Sequence, residues 1–101
     1  MSYNSNNSGS SQMGGSSVTQ EDIEDWLKSM IDDEVNAHKD YAKWARIFDD
    51  IGYSQMADKY WEVSQQEQRH ALYSIAFATY LGFDVSDQID PSLFKSISSH
   101  K

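Results

Sequence analysis

The sequence contains no cysteine. This absence excludes disulfide bonds, zinc sites with thiolate ligands, iron–sulfur clusters and rubredoxin-type centres. Proline occurs once, at Pro91, and only two of the five glycines, Gly52 and Gly82, lie beyond residue 18. Residues that interrupt helices are therefore rare in most of the chain, and we expect these three to mark its turns and helix ends.

Basic residues are also few. Eight lysines and arginines stand against sixteen aspartates and glutamates, which gives a formal net charge of −8. This charge disfavours nucleic acids and anionic membranes as partners and suits cations, although it equally serves solubility. No apolar run approaches the ~20 residues of a membrane-spanning helix. We therefore expect a cytoplasmic protein with neither a nucleic-acid nor a membrane partner.

The first 18 residues have almost nothing to bury. They contain seven serines, three asparagines and three glycines, and no charged side chain. Such a segment cannot offset the chain entropy lost on folding, so residues 1–18 are expected to form a flexible tail. They lack the basic start and apolar core of a signal peptide. Residues 19–101 then form one domain, of a size at which association with a second chain often supplies part of the stability.

Apolar residues recur at steps of three and four in two long segments, which predicts two helices with one apolar face each. Thr19 is suited to cap the first helix and Gly52 to end it, while Ser54 is suited to cap the second and Gly82 to end it. The first stripe comprises Ile23, Leu27, Met30, Glu34, Ala37, Tyr41, Ala45 and Phe48. The second comprises Ala57, Tyr60, Ser64, Glu67, His70 with Ala71, Ser74, Phe77 or Ala78, and Leu81.

The short connection at Gly52-Tyr53 predicts an antiparallel two-helix hairpin. Asp90-Pro91 is typical of a helix start and predicts a short C-terminal helix over Ser92–Ser99. No segment alternates with period two, so the predicted fold is all-α. A single hairpin cannot bury every aromatic residue, and we expect two chains to dimerise into a four-helix bundle. The aromatic residues left over for the second chain are Trp26, Trp44, Trp61, Tyr73 and Tyr80.

Two glutamates and one histidine interrupt the apolar stripes. Glu34 lies 18 positions before Gly52, and Glu67 and His70 lie 15 and 18 positions after it. Equal distances from the turn mean equal heights in an antiparallel hairpin, so the three should meet about 25 Å from the turn. A carboxylate in an apolar stripe needs a partner, because burying an unpaired charge is costly. Two carboxylates and an imidazole at one height can satisfy their charges and lone pairs together by binding a metal ion. Oxygen-rich ligation suits iron or manganese better than structural zinc.

Other interpretations of these residues remain open at this point. A Glu-x-x-His pair is common on exposed helix faces. His38, four positions after Glu34, could be a further metal ligand, hydrogen-bond to a ligand, or lie at the boundary of the core. Tyr41 could hydrogen-bond to a ligating carboxylate, carry an electron, or only fill the core. The glutamates could instead pair with basic residues across a hairpin interface, namely Arg46, Lys59 or Arg69.

The pattern Glu34-(x)6-Tyr41-(x)3-Ala45, then Gly52, Ala57, Tyr60 and Glu67-x-x-His70, resembles one half of a rubrerythrin or ferritin-like bundle. The resemblance covers roughly residues 20–82. A single helix pair followed by a short helix is similar to the encapsulated ferritins, in which two-helix protomers pair to build a di-iron centre and dimers assemble into a ring. The resemblance implies that Glu34, Glu67 and His70 are iron ligands, with Tyr41 beside them. It also implies residence inside an encapsulin shell, although residues 92–101 show no convincing targeting motif.

The function implied by this resemblance is that of a ferroxidase. Fe(II) would be oxidised by O2 or peroxide at a di-iron centre shared between two chains, in iron storage or detoxification, with manganese as an alternative metal. The catalytic residues would be Glu34, Glu67, His70 and Tyr41. One alternative is a rubrerythrin-like di-iron or di-manganese enzyme that scavenges peroxide, for which the missing cysteines require a separate electron donor. Another is a non-enzymatic helical interaction protein in which the Glu and His residues only fix the dimer register.

Overall fold

The computed structural model describes residues 17–94 of the 101-residue chain. Two long helices, α1 (Gln20–Asp50) and α2 (Ser54–Tyr80), pack side by side as an antiparallel hairpin, and two 3-10 helices follow, Ser86–Gln88 and Pro91–Phe94. Residues 17–94 contain no strand, so the predicted all-α hairpin is confirmed. No helix in this range is long and apolar enough to cross a membrane.

Some predicted segments fall on parts of the chain that the structure does not describe. Residues 1–16 of the predicted tail lie outside the described residues, and so do residues 95–99 of the predicted C-terminal helix. The described start of that helix, Pro91–Phe94, is a 3-10 helix. Dimerisation into a four-helix bundle stays a prediction.

The start of α1 is fixed by a reciprocal pair of side-chain hydrogen bonds. Thr19 Oγ1 accepts from the backbone N–H of Asp22 at 3.0 Å. The backbone N–H of Thr19 donates in return to Asp22 Oδ2 at 3.0 Å. This capping box satisfies N–H groups that have no partner inside the helix, so the predicted role of Thr19 is confirmed.

Both long helices end at a glycine in the left-handed conformation. Gly52 has φ +88° and Gly82 has φ +89°, values that other residues adopt only with strain. After α1, the N–H of Tyr53 donates to the carbonyl of Phe48 at 2.8 Å, and the Phe48 and Tyr53 rings stack at 6.3 Å. The same pattern ends α2, where the N–H of Phe83 reaches the carbonyl of Ala78 at 3.0 Å. Both predicted helix ends are thereby confirmed as Schellman motifs.

The predicted cap of α2 is wrong by one residue. Ser54 is the first helical residue, and the capping position falls to Tyr53, which makes no side-chain capping hydrogen bond. The physical reason is the shortness of the turn. Tyr53 is the third residue after the end of α1 and closes that helix with its N–H, so α2 must begin at the next residue.

Because only Thr19 makes a capping hydrogen bond, removing its hydroxyl should destabilise the protein more than removing the hydroxyl of Ser54. Thr19→Ala should lower the free energy of unfolding by about 1 kcal/mol, because it removes the capping hydrogen bond. The matched control, Ser54→Ala, should change it by less than about 0.5 kcal/mol, as expected for an exposed residue outside such a motif. Urea denaturation of both variants measures the two values. Equal losses would contradict the assignment of the caps.

The helices pack through two buried apolar clusters. One lies toward the open end of the hairpin and includes residues from the segment after α2; the other lies toward the turn. The first consists of Leu27, Ile31, Val35, Ala71, Ala78, Val85 and Leu93. The second consists of Ala42, Ala45 and Trp61.

The stripe predicted for α1 coincides with this core only in part, because Leu27 and Ala45 are buried in it while other members lie at its edge. Met30 is 41% exposed and Glu34 is partly buried, whereas the neighbouring Ile31 and Val35 are buried. Trp61, predicted to remain for a second chain, is only 4% exposed. These predictions fail because each helix carries two apolar surfaces, one inside the hairpin and one outside, which merge in the sequence into a single broad stripe.

The segment after α2, residues 83–94, folds back along the hairpin, and we call it the C-terminal strap. Val85 and Leu93 insert into the first apolar cluster and are 3% and 2% exposed. Lys39 Nζ and Asp90 Oδ2 form an ion pair of 3.1 Å between α1 and the strap. The strap therefore covers one side of the hairpin and leaves the other side uncovered within the described chain.

Candidate metal site

Glu34 on α1 and Glu67 and His70 on α2 converge in the hairpin. Each offers one ligand atom, and these atoms lie within 4.8 Å of one another. The counting of residues from Gly52 therefore predicts the height of all three correctly. Their role as metal ligands stays a prediction, because the distances between the side chains do not by themselves establish that a metal binds. We call these three residues the acidic trio.

Two of the trio are neighbours on one helix. His70 follows Glu67 by three positions, and its Nδ1 lies 3.8 Å from Glu67 Oε1. The His70 side chain is 57% exposed and that of Glu67 is 28% exposed. The pair therefore sits at the surface of this single chain, on an edge that a second chain could cover.

Glu34 is held from across the hairpin by a residue that the sequence reasoning did not single out. The Ser74 hydroxyl donates to Glu34 Oε1 at 2.9 Å. Ser74 is 9% exposed and lies one turn beyond His70 on the same face of α2. The feature of the sequence that indicates this contact is a serine within the apolar stripe of α2, close to the height at which α1 carries the carboxylate of Glu34.

Burial raises the pKa of the Glu34 carboxyl above its ordinary value. The hydrogen bond from Ser74 and the nearby His70 oppose this rise, and the charges of Glu67 and Asp33 add to it. The folded protein therefore binds a proton at Glu34 more tightly than the unfolded chain does. Ionisation of Glu34 weakens the fold, and a bound cation would remove that cost.

Glu34→Gln should therefore stabilise the metal-free protein at neutral pH. The amide keeps an oxygen that can accept from Ser74 and has no charge to bury. Wild type and variant should be about equally stable below the ordinary pKa of a glutamate, because Glu34 is then protonated in both states. The advantage of the variant should grow as the pH rises through that pKa and level off once the raised pKa of the folded state is passed. The measurement is thermal unfolding in the presence of a chelator, with the exposed Glu62→Gln as control. A variant less stable than wild type at pH 7 would contradict the electrostatic assignment.

The trio fits a cation by its chemistry and by its spacing. Two carboxylates and one imidazole are suited to iron or manganese. Ligand atoms around one such ion lie about 3–4 Å apart when each bond is about 2.0–2.2 Å. The observed limit of 4.8 Å needs only a small contraction to reach that spacing. The three side chains alone would fill only part of the coordination sphere.

The trio lies in the middle of an uncovered apolar surface, which we call the open face. Its residues are separated along each helix by three or four positions or by sums of such steps, and they include Glu34 on α1 and Glu67, His70 and Ser74 on α2. The large apolar side chains of the open face are 38–62% exposed. They are Trp26, Met30 and Trp44 on α1, Met56 and Phe77 on α2, and Leu81 directly after α2.

His38 is turned to other partners. It is 4% exposed, its Nε2 donates to the backbone carbonyl of Ser92 at 3.2 Å, and its Nδ1 lies 2.9 Å from Ser64 Oγ. Of the three roles considered for His38, the boundary position does not match the structure, because the strap covers the side chain, and the role of a metal ligand stays a prediction. Its contacts differ from those expected of a fourth ligand, since both ring nitrogens face protein oxygens.

The other predicted site residues have clear positions. Tyr41 is partly buried, and its ring packs against that of Tyr60 with 5.5 Å between centroids. Arg46, considered as an ion-pair partner for the glutamates, lies instead over the ring of Trp61 at 5.3 Å. The packing of Tyr41 is that of a core-edge tyrosine, and an electron-transfer role stays a prediction.

Comparisons with known protein families, curated proteins and solved structures find no match to this chain. The resemblance to ferritin-like proteins thus rests on the residue pattern from Glu34 to His70 given above and on its place in a helical hairpin.

Proposed function

We propose that this protein is a ferroxidase of the encapsulated-ferritin type, which oxidises Fe(II) at a centre shared between two copies of the chain. The observation that carries the proposal is the convergence of Glu34, Glu67 and His70 within 4.8 Å of one another on an uncovered apolar face. A carboxylate from one helix and a Glu-x-x-His pair from the next make half of the ligand set of a di-iron carboxylate bundle.

A second copy of the chain would supply the other half. Pairing through the open face about a two-fold axis brings the same three residues from each copy to one place. The joint set is then four carboxylates and two imidazoles, enough for two iron ions. The apolar residues of the open face would leave water at the same time, which supplies the free energy of association.

The chemistry required of the chain is modest. Two Fe(II) ions each lose one electron, and one O2 that takes up both electrons and two protons leaves as hydrogen peroxide. The carboxylates of Glu34 and Glu67 favour the ion of higher charge and so promote oxidation. The net charge of −8 attracts the cationic substrate.

Aerobic titration with Fe(II), followed by the absorbance of ferric iron, tests this function directly. Ferroxidase activity predicts rapid oxidation up to about one Fe(II) per chain and slower turnover beyond it. Parallel assays with hydrogen peroxide, with and without a reductant, separate the two oxidants. Oxidation no faster than in buffer alone would overturn the proposal. Fast peroxide consumption that depends on the reductant would favour the rubrerythrin-like alternative.

A further inference from the structure

The C-terminal strap ties the two long helices together through two adjacent backbone carbonyls. The carbonyl of Ser92 accepts from His38 Nε2 on α1 at 3.2 Å. The carbonyl of the next residue, Leu93, accepts from Gln68 Nε2 on α2 at 2.7 Å. One peptide segment therefore bridges both helices with side-chain donors from each.

This bridge lies at the height of the acidic trio. His38 is one helical turn after Glu34, and Gln68 directly follows Glu67. Gln68 projects about 100° around α2 from Glu67, so the bridge approaches the hairpin from a different side than the open face. The strap and the trio thus lie beside the same helical turns, on two different sides of the hairpin.

The bridging segment is itself held firmly in place. Leu93 is 2% exposed in the apolar core, and Lys39 pairs with Asp90. Asp90 Oδ1 accepts from the backbone N–H of Ser92 at 2.8 Å. This backbone hydrogen bond, with further help from the Ser92 side chain and Lys39, lowers the pKa of Asp90 to about 2, so Asp90 remains charged at any pH near neutrality.

We propose that the C-terminal strap is a brace for the metal site, with His38 and Gln68 as positioning residues. By fixing the distance between α1 and α2 at this height, the strap sets the separation of Glu34 from Glu67 and so the affinity for a divalent cation. The inference rests on the proposed function, since it takes the trio as the ligand set. Removal of a group that hydrogen-bonds to a metal ligand and orients it commonly lowers the affinity for the metal about 10–100-fold.

The coupling must be reciprocal. If a docked strap strengthens metal binding, then bound metal must strengthen the docking of the strap by the same factor. Three backbone N–H groups report on the strap because each donates within it: those of Gln88, Ile89 and Leu93, to the carbonyls of Val85, Ser86 and Asp90. Their exchange with solvent deuterium measures how often the strap opens.

The first experiment follows deuterium exchange of the full chain with and without Mn(II), which needs no oxidant. Saturating Mn(II) should slow exchange at residues 88, 89 and 93 by about fivefold or more. In Glu67→Ala, Mn(II) should have no such effect. Unchanged exchange in wild-type protein that binds Mn(II) would overturn the brace and leave the proposed function standing.

The second experiment compares two equal substitutions on either side of Glu67. Gln68→Met removes the donor to Leu93 at similar side-chain volume and should weaken Mn(II) binding about tenfold, as read by calorimetry well below the melting temperature. Gln66→Met, at an exposed position, should change it less than about twofold. A fall in stability with unchanged affinity would show that Gln68 is only structural and overturn the brace. Wild-type protein that binds no divalent cation would overturn both proposals.

Discussion

Loss of Fe(II) oxidation is the expected result of either Glu67→Ala or His70→Ala. Each removes one of the three side chains that converge within 4.8 Å, and in a symmetric pair each is lost twice. Removal of a residue that only orients a metal ligand typically lowers metal affinity or activity about 10–100-fold, and removal of a ligand itself should have a larger effect. We therefore expect oxidation at least about 100-fold slower than in wild type. Stopped-flow absorbance under air measures the rate, and calorimetry with Mn(II) measures the matching loss of affinity.

The same helix offers a matched control for this prediction. Glu62 lies on α2 and is exposed, so Glu62→Ala removes an equal charge from the same element away from the trio. We expect its oxidation rate to remain within about twofold of wild type. Similar losses in Glu62→Ala and Glu67→Ala would mean that overall charge, and not the site, governs the reaction. Wild-type rates in both Glu67→Ala and His70→Ala would refute the trio as the site.

Phe77→Asp is expected to separate the two copies and to abolish metal binding with them. Phe77 is 54% exposed on the open face, one turn beyond Ser74 on α2. In a two-fold interface the substitution would bury two unpaired carboxylates, each at a cost of several kcal/mol. The dissociation constant of the dimer should therefore rise at least about 100-fold, and sedimentation velocity should find monomers at micromolar concentration.

Tyr80→Asp is the control for the dimer prediction. Tyr80 is near the same end of α2, three residues further on, and is 85% exposed. It projects about 120° around the helix from Ser74, whereas Phe77 projects only about 60° from it, so Tyr80 points away from the trio. This variant should remain a dimer and keep the metal affinity of wild type. A Phe77→Asp monomer that binds metal as tightly as wild type would show that one chain is sufficient for the site.

Sequence reasoning succeeds where the determinants are local. The capping box at Thr19 and the left-handed glycines at residues 52 and 82 fix the helix ends from a few neighbouring residues. Once the turn is located, simple counting gives the heights of Glu34 and His70, because the rise per residue of a helix is constant. The fold class and the convergence of the trio could therefore be predicted without a structure.

The failures have a common physical origin in contacts between distant parts of the chain. His38 is buried because Ser92, 54 positions later, covers it. Periodicity finds the angular position of apolar residues but does not distinguish which of two apolar surfaces faces the partner helix. It therefore predicts a buried Met30, whereas the structure buries Ile31. The sequence places Ser74 in the stripe of α2 but does not predict its hydrogen bond, because the acceptor, Glu34, lies on the other helix.

The central claim is that two chains share one metal centre, and native mass spectrometry of protein loaded anaerobically with Fe(II) tests it most directly. The shared-site proposal predicts a dimer that carries two iron ions, a mainly monomeric Phe77→Asp variant without iron, and no iron on Glu67→Ala. Metal-loaded monomers of the wild-type chain, or dimers of Glu67→Ala that still carry two ions, would contradict it.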